Sequence, residues 1–230
     1  MTDTVGRSTG AQAPAGRPDP VAGPWDLDDA LLAAVHEDGR PRGVVYPHPT
    51  LAAVIGRGGD PWRETRPDVL AADAVPLYRR RGGGCAVIVD PGNLVCSLVL
   101  PLAGVGEITR AFASISREVI HALAAVGVPG VQQSGVSDLT LAGRKLGGSC
   151  IWRTRGLVYY STTLLVDPDL DAIDRYLPHP PREPEYRRGR AHRDFLTSLR
   201  AEGHPDRVED IGQRLMAALA PRIAANPLQD

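Results

Sequence analysis

No apolar run in the chain approaches the roughly 20 residues of a membrane-spanning helix. The first 24 residues, rich in Gly, Pro, Ala, Ser and Thr, lack the apolar stretch of a secretory signal peptide. They read as a disordered tail, with the folded domain over residues 25–230. Charge of either sign is nearly balanced, 26 Lys and Arg against 27 Asp and Glu, so no basic field points to nucleic acid. Cysteine is scarce and odd in number: Cys85, Cys96 and Cys150 read as reduced thiols of a cytoplasmic protein. The six histidines, His36, His48, His121, His179, His192 and His204, show no close metal-ligand spacing, so no zinc site is expected.

What is present is an ordinary globular composition, 43% hydrophobic and 23% charged over 230 residues, enough for a sizeable core. Asp26 can cap a short helix with Leu27, Leu31 and Val35 on one side and Gly39 at its end. Residues 42–46 and 51–56 read as strands, 58–67 as irregular, and 68–73 as a helical turn. Two β-rich runs, 85–89 and 94–100, flank Asp90-Pro91-Gly92-Asn93 and read as a hairpin. From Ile108 to Val126, apolar residues recur every three or four positions, one face of a helix closed by Gly127. A second hairpin turns at Ala142-Gly143, and a strand follows over 157–166. A short helix over 173–177 leads into a Pro- and Arg-rich arm over 178–190. Asp206 and Glu209 read as a capping box for a last helix carrying Val208, Ile211, Leu215 and Leu219. Without regular βαβ alternation, the class is α+β, with a mixed, largely antiparallel sheet flanked by helices.

Two segments stand out chemically. In Arg79-Arg80-Arg81-Gly82-Gly83-Gly84, glycine lets backbone N–H groups approach a ligand, and arginine supplies fixed donors for phosphate or carboxylate. The alternative is a solvated loop that needs glycine to turn. In Ala142-Gly143-Arg144-Lys145-Leu146-Gly147-Gly148-Ser149-Cys150, a lysine between glycines either neutralises charge on a reacting oxygen or is simply exposed.

Together these stretches resemble the catalytic domain of lipoate–protein ligases, in four blocks that keep the family's order. Val54-Ile55-Gly56-Arg57 with Asp60-Pro61-Trp62-Arg63-Glu64 is similar to the first. Arg79-Arg80, Gly83-Gly84, Ala86-Val87 and Asp90-x-Gly92-Asn93 are similar to the second. Asp138-Leu139 with Lys145-x-x-Gly148-Ser149, and Thr163-Leu164-Leu165 with Asp169-Leu170, resemble the third and fourth. The resemblance implies the fold shared with biotin–protein ligases. It also implies activation of lipoate or octanoate by ATP to an acyl-adenylate, with Mg²⁺ brought by the phosphates, and transfer to a protein lysine. The acceptor would be a lipoyl-accepting domain or an H-type protein of glycine cleavage. It assigns Lys145 to the acyl carbonyl and α-phosphate, and Arg80, Gly83, Gly84, Ala86 and Val87 to the acyl loop. Asn93 and Asp138 fall near the nucleotide by this carry-over, and Gly148, Ser149 and Thr163 beside the same pocket.

The pattern is broken at several places. Val89 and Ser161 stand where the family has histidines, Gly82 where it has serine, Cys85 where it has a third glycine, and Cys150 where it has alanine. Two other readings therefore stay open: an ATP-independent transferase using Cys150 as a thioester nucleophile, or an acyl-nucleotide-binding module without turnover. About 50 residues follow the strand region, so the family's accessory domain is expected to be short, absent or a separate chain. The basic run Arg187-Arg188-x-Arg190, with His192 and Arg193, reads as a solvated arm or as a docking face for an acidic carrier.

Overall fold

The computed structural model describes residues 20–102 and 107–228, so most of the amino-terminal tail lies outside the described residues. The chain runs β1 (Gly23–Pro24), α1 (Asp29–Asp38), β2 (Arg42–Pro47), β3 (Ala52–Ile55), α2 (Pro61–Glu64), α3 (Pro67–Ala72), β4 (Leu77–Arg79), β5 (Val87–Val89) and β6 (Asn93–Pro101). It continues through α4 (Ile108–Ala125), β7 (Gln132–Ser134), β8 (Asp138–Leu141), β9 (Arg144–Thr154), β10 (Leu157–Leu165), α5 (Leu170–Tyr176), α6 (His192–Phe195) and α7 (Val208–Ala224). A six-stranded antiparallel sheet has the order β2-β6-β10-β9-β8-β7. A four-stranded sheet, order β1-β4-β3-β5, is mixed, with β1-β4 and β4-β3 parallel and β3-β5 antiparallel.

The large sheet owes its two characters to the two-residue period of a strand. Its back face, with Leu94, Leu98 and Leu100 of β6 and Val158, Tyr160 and Leu164 of β10, is buried against the apolar stripes of α4 and α7. Truncating one of these leucines to alanine costs about 2–5 kcal/mol. The front face carries Val95, Ser97 and Val99 of β6, Thr163, Ser161 and Tyr159 of β10, and Gly148, Cys150 and Trp152 of β9, paired rung by rung. The site lies on this front face.

Several expectations are corrected. The runs at 85–89 and 94–100 do not form a hairpin: β5 pairs with β3 in the small sheet, β6 with β2 and β10 in the large one. The Asp90–Asn93 turn carries the chain between sheets. Asp90 accepts from Asp169 N at 2.7 Å, and a Cβ on Gly92 would lie 1.9 Å from the Asp167 carbonyl oxygen. Residues 61–64 are helical, with Asp60 accepting from Trp62 N at 2.9 Å. Asp206 does not cap α7; it pairs with Arg214 at 2.9 Å, and Arg207 is the N-cap residue. Order begins before Trp25, because Gly23 and Pro24 pair with Tyr78 and Arg79.

Candidate active site

Lys145 reaches the front face through a break in pairing. Leu139 faces Gly147, but Thr140 faces Lys145, so Leu146 has no partner of its own. In unbroken alternation Leu146 would point forward and Lys145 into the core. The bulge reverses both: Leu146 is fully buried in the main core, and Lys145 Nζ lies 2.7 Å from Asp138 Oδ1. Thr197 N donates to the Lys145 carbonyl at 2.8 Å and pins its backbone. Gly148 leaves room for the side chain, since a Cβ there would come within 3.1 Å of Nζ. Asp138 also accepts from the Tyr186 hydroxyl at 2.8 Å, and burial and Asp138 together push the Tyr186 pKa up.

Lys145 and Asp138 stand where two cavities meet. The outer one, about 860 Å³, is lined by Gly83, Ala86, Ile108, Phe112 and the Pro-rich strap over 180–184. The inner one, about 110 Å³, runs between the sheets past Val54, Val87, Val89, Val95 and Trp25 to Tyr159 and Ser161. Gly84, Ala86, Val87, Asp138, Lys145, Gly148, Ser149 and Thr163 line both. Ser149 contributes backbone, because its hydroxyl lies 2.9 Å from Tyr160 OH on the core side.

The arginine–glycine loop works differently from an anion cradle. Arg80 borders the inner cavity, yet it donates to the carbonyls of Val54 at 3.1 Å, Gly83 at 2.8 Å and Cys85 at 2.8 Å. Arg79 Nη1 is shared among the carbonyls of Gly56, Arg57 and Gly59. Arg81 pairs with Asp29 and lies over Trp152. The arginines therefore clamp the loop instead of offering free charge. Glu64, 7% exposed, completes the clamp by accepting from Ala86 N at 2.7 Å. Gly56 permits the closest approach of the first two blocks, for a Cβ there would meet the Gly84 oxygen at 2.2 Å.

Asn93 does not line either cavity. It is 1% exposed, and its Oδ1 accepts from Asp90 N at 2.8 Å within the crossing turn. Much of the basic run is engaged within the chain: Arg187 is 4% exposed with its guanidinium over Phe195, Arg190 bonds to the Tyr186 carbonyl, and Arg193 pairs with Asp171 and Asp174, while Arg188 is exposed.

Two departures from the family's pattern meet in space. A Cβ on Gly82 would lie 2.5 Å from Cys150 Sγ. Burial pushes the Cys150 thiol pKa up, so the thiolate is disfavoured. Among the described residues no three His, Cys, Asp or Glu side chains gather to hold a metal.

The crystal structure of a lipoate–protein ligase A bound with ATP superposes with a TM-score of 0.69 at 20% identity, covering 90% of this chain and 84% of that one. The ligase of a bi-partite Thermoplasma acidophilum lipoylation system gives 0.70 at 20% identity, covering 87% and 80%. The family model for the lipoyl protein ligase A/B catalytic domain matches residues 20–220, and the chain belongs to that family. A Mycoplasma pneumoniae protein named "Probable lipoate-protein ligase A" is 36% identical over 124 residues, 54% of this chain and 36% of its own length. The Streptococcus pyogenes lipoate–protein ligase is 33% identical over 124 residues, 54% and 35%. The chain thus spans about a third of the length of these two relatives.

Proposed function

We propose that this chain is the catalytic domain of an ATP-dependent lipoate–protein ligase, and one observation carries the reading: Lys145 sits where a narrow apolar cavity opens into a wide one. The inner cavity takes the hydrocarbon of lipoate or octanoate, with its carboxylate at Lys145. The outer cavity takes the nucleotide. The carboxylate oxygen attacks the α-phosphorus of ATP, the bond to pyrophosphate breaks, and an acyl-adenylate forms. Lys145 holds the charge that grows on the shared oxygens. The ε-amine of an acceptor lysine then attacks the acyl carbonyl, releasing AMP and a proton and leaving an amide. Mg²⁺ is proposed to come with the triphosphate, near Asp138.

The acceptor proposed is a lipoyl-accepting domain or an H-type protein. The similar archaeal system comprises a bi-partite ligase and its E2 lipoyl domain, which favours the first and also favours a separate accessory subunit. A cytoplasmic setting agrees with three free thiols and with the absence, among the described residues, of any helix long and apolar enough to cross a membrane. The packed, high-pKa Cys150 speaks against a thioester route.

Lipoate-stimulated exchange of pyrophosphate into ATP is the decisive assay. Exchange is expected with lipoate or octanoate. Its absence, together with an acyl-thioester on Cys150 seen as a mass increase, would replace the ligase with a transferase.

A further inference from the structure

Two buried carboxylates stand near the cavities, and they are held in different ways. Asp28, 2% exposed at the entry to α1, accepts from Tyr159 OH at 2.6 Å, Ser97 Oγ at 2.8 Å, Tyr46 OH at 3.1 Å and Trp25 Nε1 at 3.4 Å. All four donors are neutral. Asp138, 7% exposed, has a cation on one oxygen and a hydroxyl on the other. Lys145 Nζ lies 2.7 Å from Oδ1, and Tyr186 OH donates to Oδ2 at 2.8 Å. Asp138 and Lys145 line both cavities, whereas Tyr186 lines neither. The Tyr186 ring packs against Phe195, their centroids 5.2 Å apart, and its neighbours Pro184 and Arg187 line the outer cavity. Tyr186 therefore reaches the chemistry only through Asp138 or through the strap that carries it.

During adenylate formation Lys145 must pass from Asp138 to the oxygens shared by the acyl carboxylate and the α-phosphate. A buried carboxylate that loses its cation is costly unless another donor stays with it. We infer that Tyr186 is a positioning residue for this step: its hydroxyl stays on Asp138 Oδ2 and holds that charge while Lys145 is away. The inference rests on the ligase reading and adds to it a residue outside the four motif blocks. Asp28 shows the same principle at the far end of the inner cavity, where neutral donors alone hold a carboxylate. Asp138 has one such donor, so its removal should be felt. The bond strengthens as the lysine leaves, because an uncompensated carboxylate attracts a donor more strongly. It thus stabilises the reacting state more than the ground state, which is what raises a rate. The phenol keeps its proton throughout, since burial and Asp138 push its pKa up.

Tyr186→Phe removes the hydroxyl and keeps the ring against Phe195. In lipoate-stimulated exchange of labelled pyrophosphate, its kcat is expected to fall about tenfold or more, as for loss of one hydrogen bond to a charged group. KM for lipoate and for ATP should stay within about twofold. A purely structural role would give the opposite split, because a displaced strap reshapes the outer cavity and raises KM for ATP. In an Asp138→Asn background no charge is left to hold, and Tyr186→Phe should change the residual rate by less than about twofold. An unchanged kcat in Tyr186→Phe, a loss confined to KM, or an equal loss in the Asp138→Asn background overturns the inference and leaves the ligase reading standing. No exchange by the wild type with lipoate or octanoate overturns the inference together with the reading beneath it.

Discussion

The two glycine-rich segments look alike in sequence and do opposite work. Around residues 79–84, three consecutive arginines satisfy backbone carbonyls or an exposed carboxylate. Around residues 144–150, a single lysine is thrown forward by a bulge and kept clear by Gly148. The dense charge holds its own loop, and the sparse charge faces the cavities. An arginine fork suits several fixed carbonyls at once, whereas a lysine is a movable point charge that can pass from Asp138 to a ligand oxygen.

The sharpest way to break that comparison is Lys145→Ala. It should lower acyl transfer roughly 10²-fold or more, as expected for loss of one preorganised charge stabiliser, measured at a temperature where the variant is folded, because buried Asp138 loses its ion-pair partner. Near-wild-type transfer would remove Lys145 from the chemistry.

Next in size is Gly84→Val. Gly84 has φ +96°, and a Cβ there would meet Arg80 Nη2 at 2.9 Å. A β-branched residue in that backbone region costs about 1–3 kcal/mol. Octanoate binding should weaken about tenfold as the clamped loop shifts, and calorimetry on the folded variant reads it. If binding is unaffected, the loop does not shape the acid site.

Gly82→Ser should cost about 1–3 kcal/mol by overpacking Cys150, and Cys150→Ala in the same chain should recover only part of it, because the Cβ that alanine keeps lies 2.7 Å from the new one. Denaturant unfolding of both single variants and the double gives the coupling, expected at about 1 kcal/mol or more. Additive effects would mean that the two departures from the family are unrelated.

Arg81→Ala should be the mildest. Its pair with Asp29 is partly exposed, 36% and 50% for the two side chains, so stability should change by no more than about 0.5 kcal/mol. Binding should be nearly unchanged. A larger loss of binding than Gly84→Val would show that the first loop is an electrostatic patch after all.

Periodicity makes the core legible. The spacing of Ile108, Phe112, Ile115, Val119 and Leu123 marks the face of α4 that is buried, and the Ala142-Gly143 turn joins β8 to β9 as expected, both residues at positive φ. Sheet partnership is not legible at residues 85–100: Asn93 to Leu100 is buried throughout, so no alternation says which neighbour the strand takes. The bulge is hidden because Leu146 continues an apolar strand as well as it fills a core. Of the site, Lys145, Asp138 and the glycines can be placed by matching motifs. Asn93 lies away from both cavities, in the turn that joins the two sheets. Motifs miss Asp28, Tyr159 and Ser97 altogether. The available signal is the hydroxyls at Tyr159, Ser161 and Thr163, alternating through an apolar strand, which mark a polar-lined front face. Asp28 itself is masked by its acidic neighbours, which read as helix-start residues.

The two-residue strand at Gly23–Pro24 has a consequence for how the protein behaves outside the reaction. It covers the side of β4 that faces away from β3, and Pro24, with no N–H, offers an arriving strand one donor fewer. Trimming the chain back to Trp25 would uncover Leu77 and Tyr78 as an open edge, with Arg79 still held by Trp25 N. The shortened protein should then self-associate at concentrations where the longer one stays monodisperse, with its catalytic residues untouched.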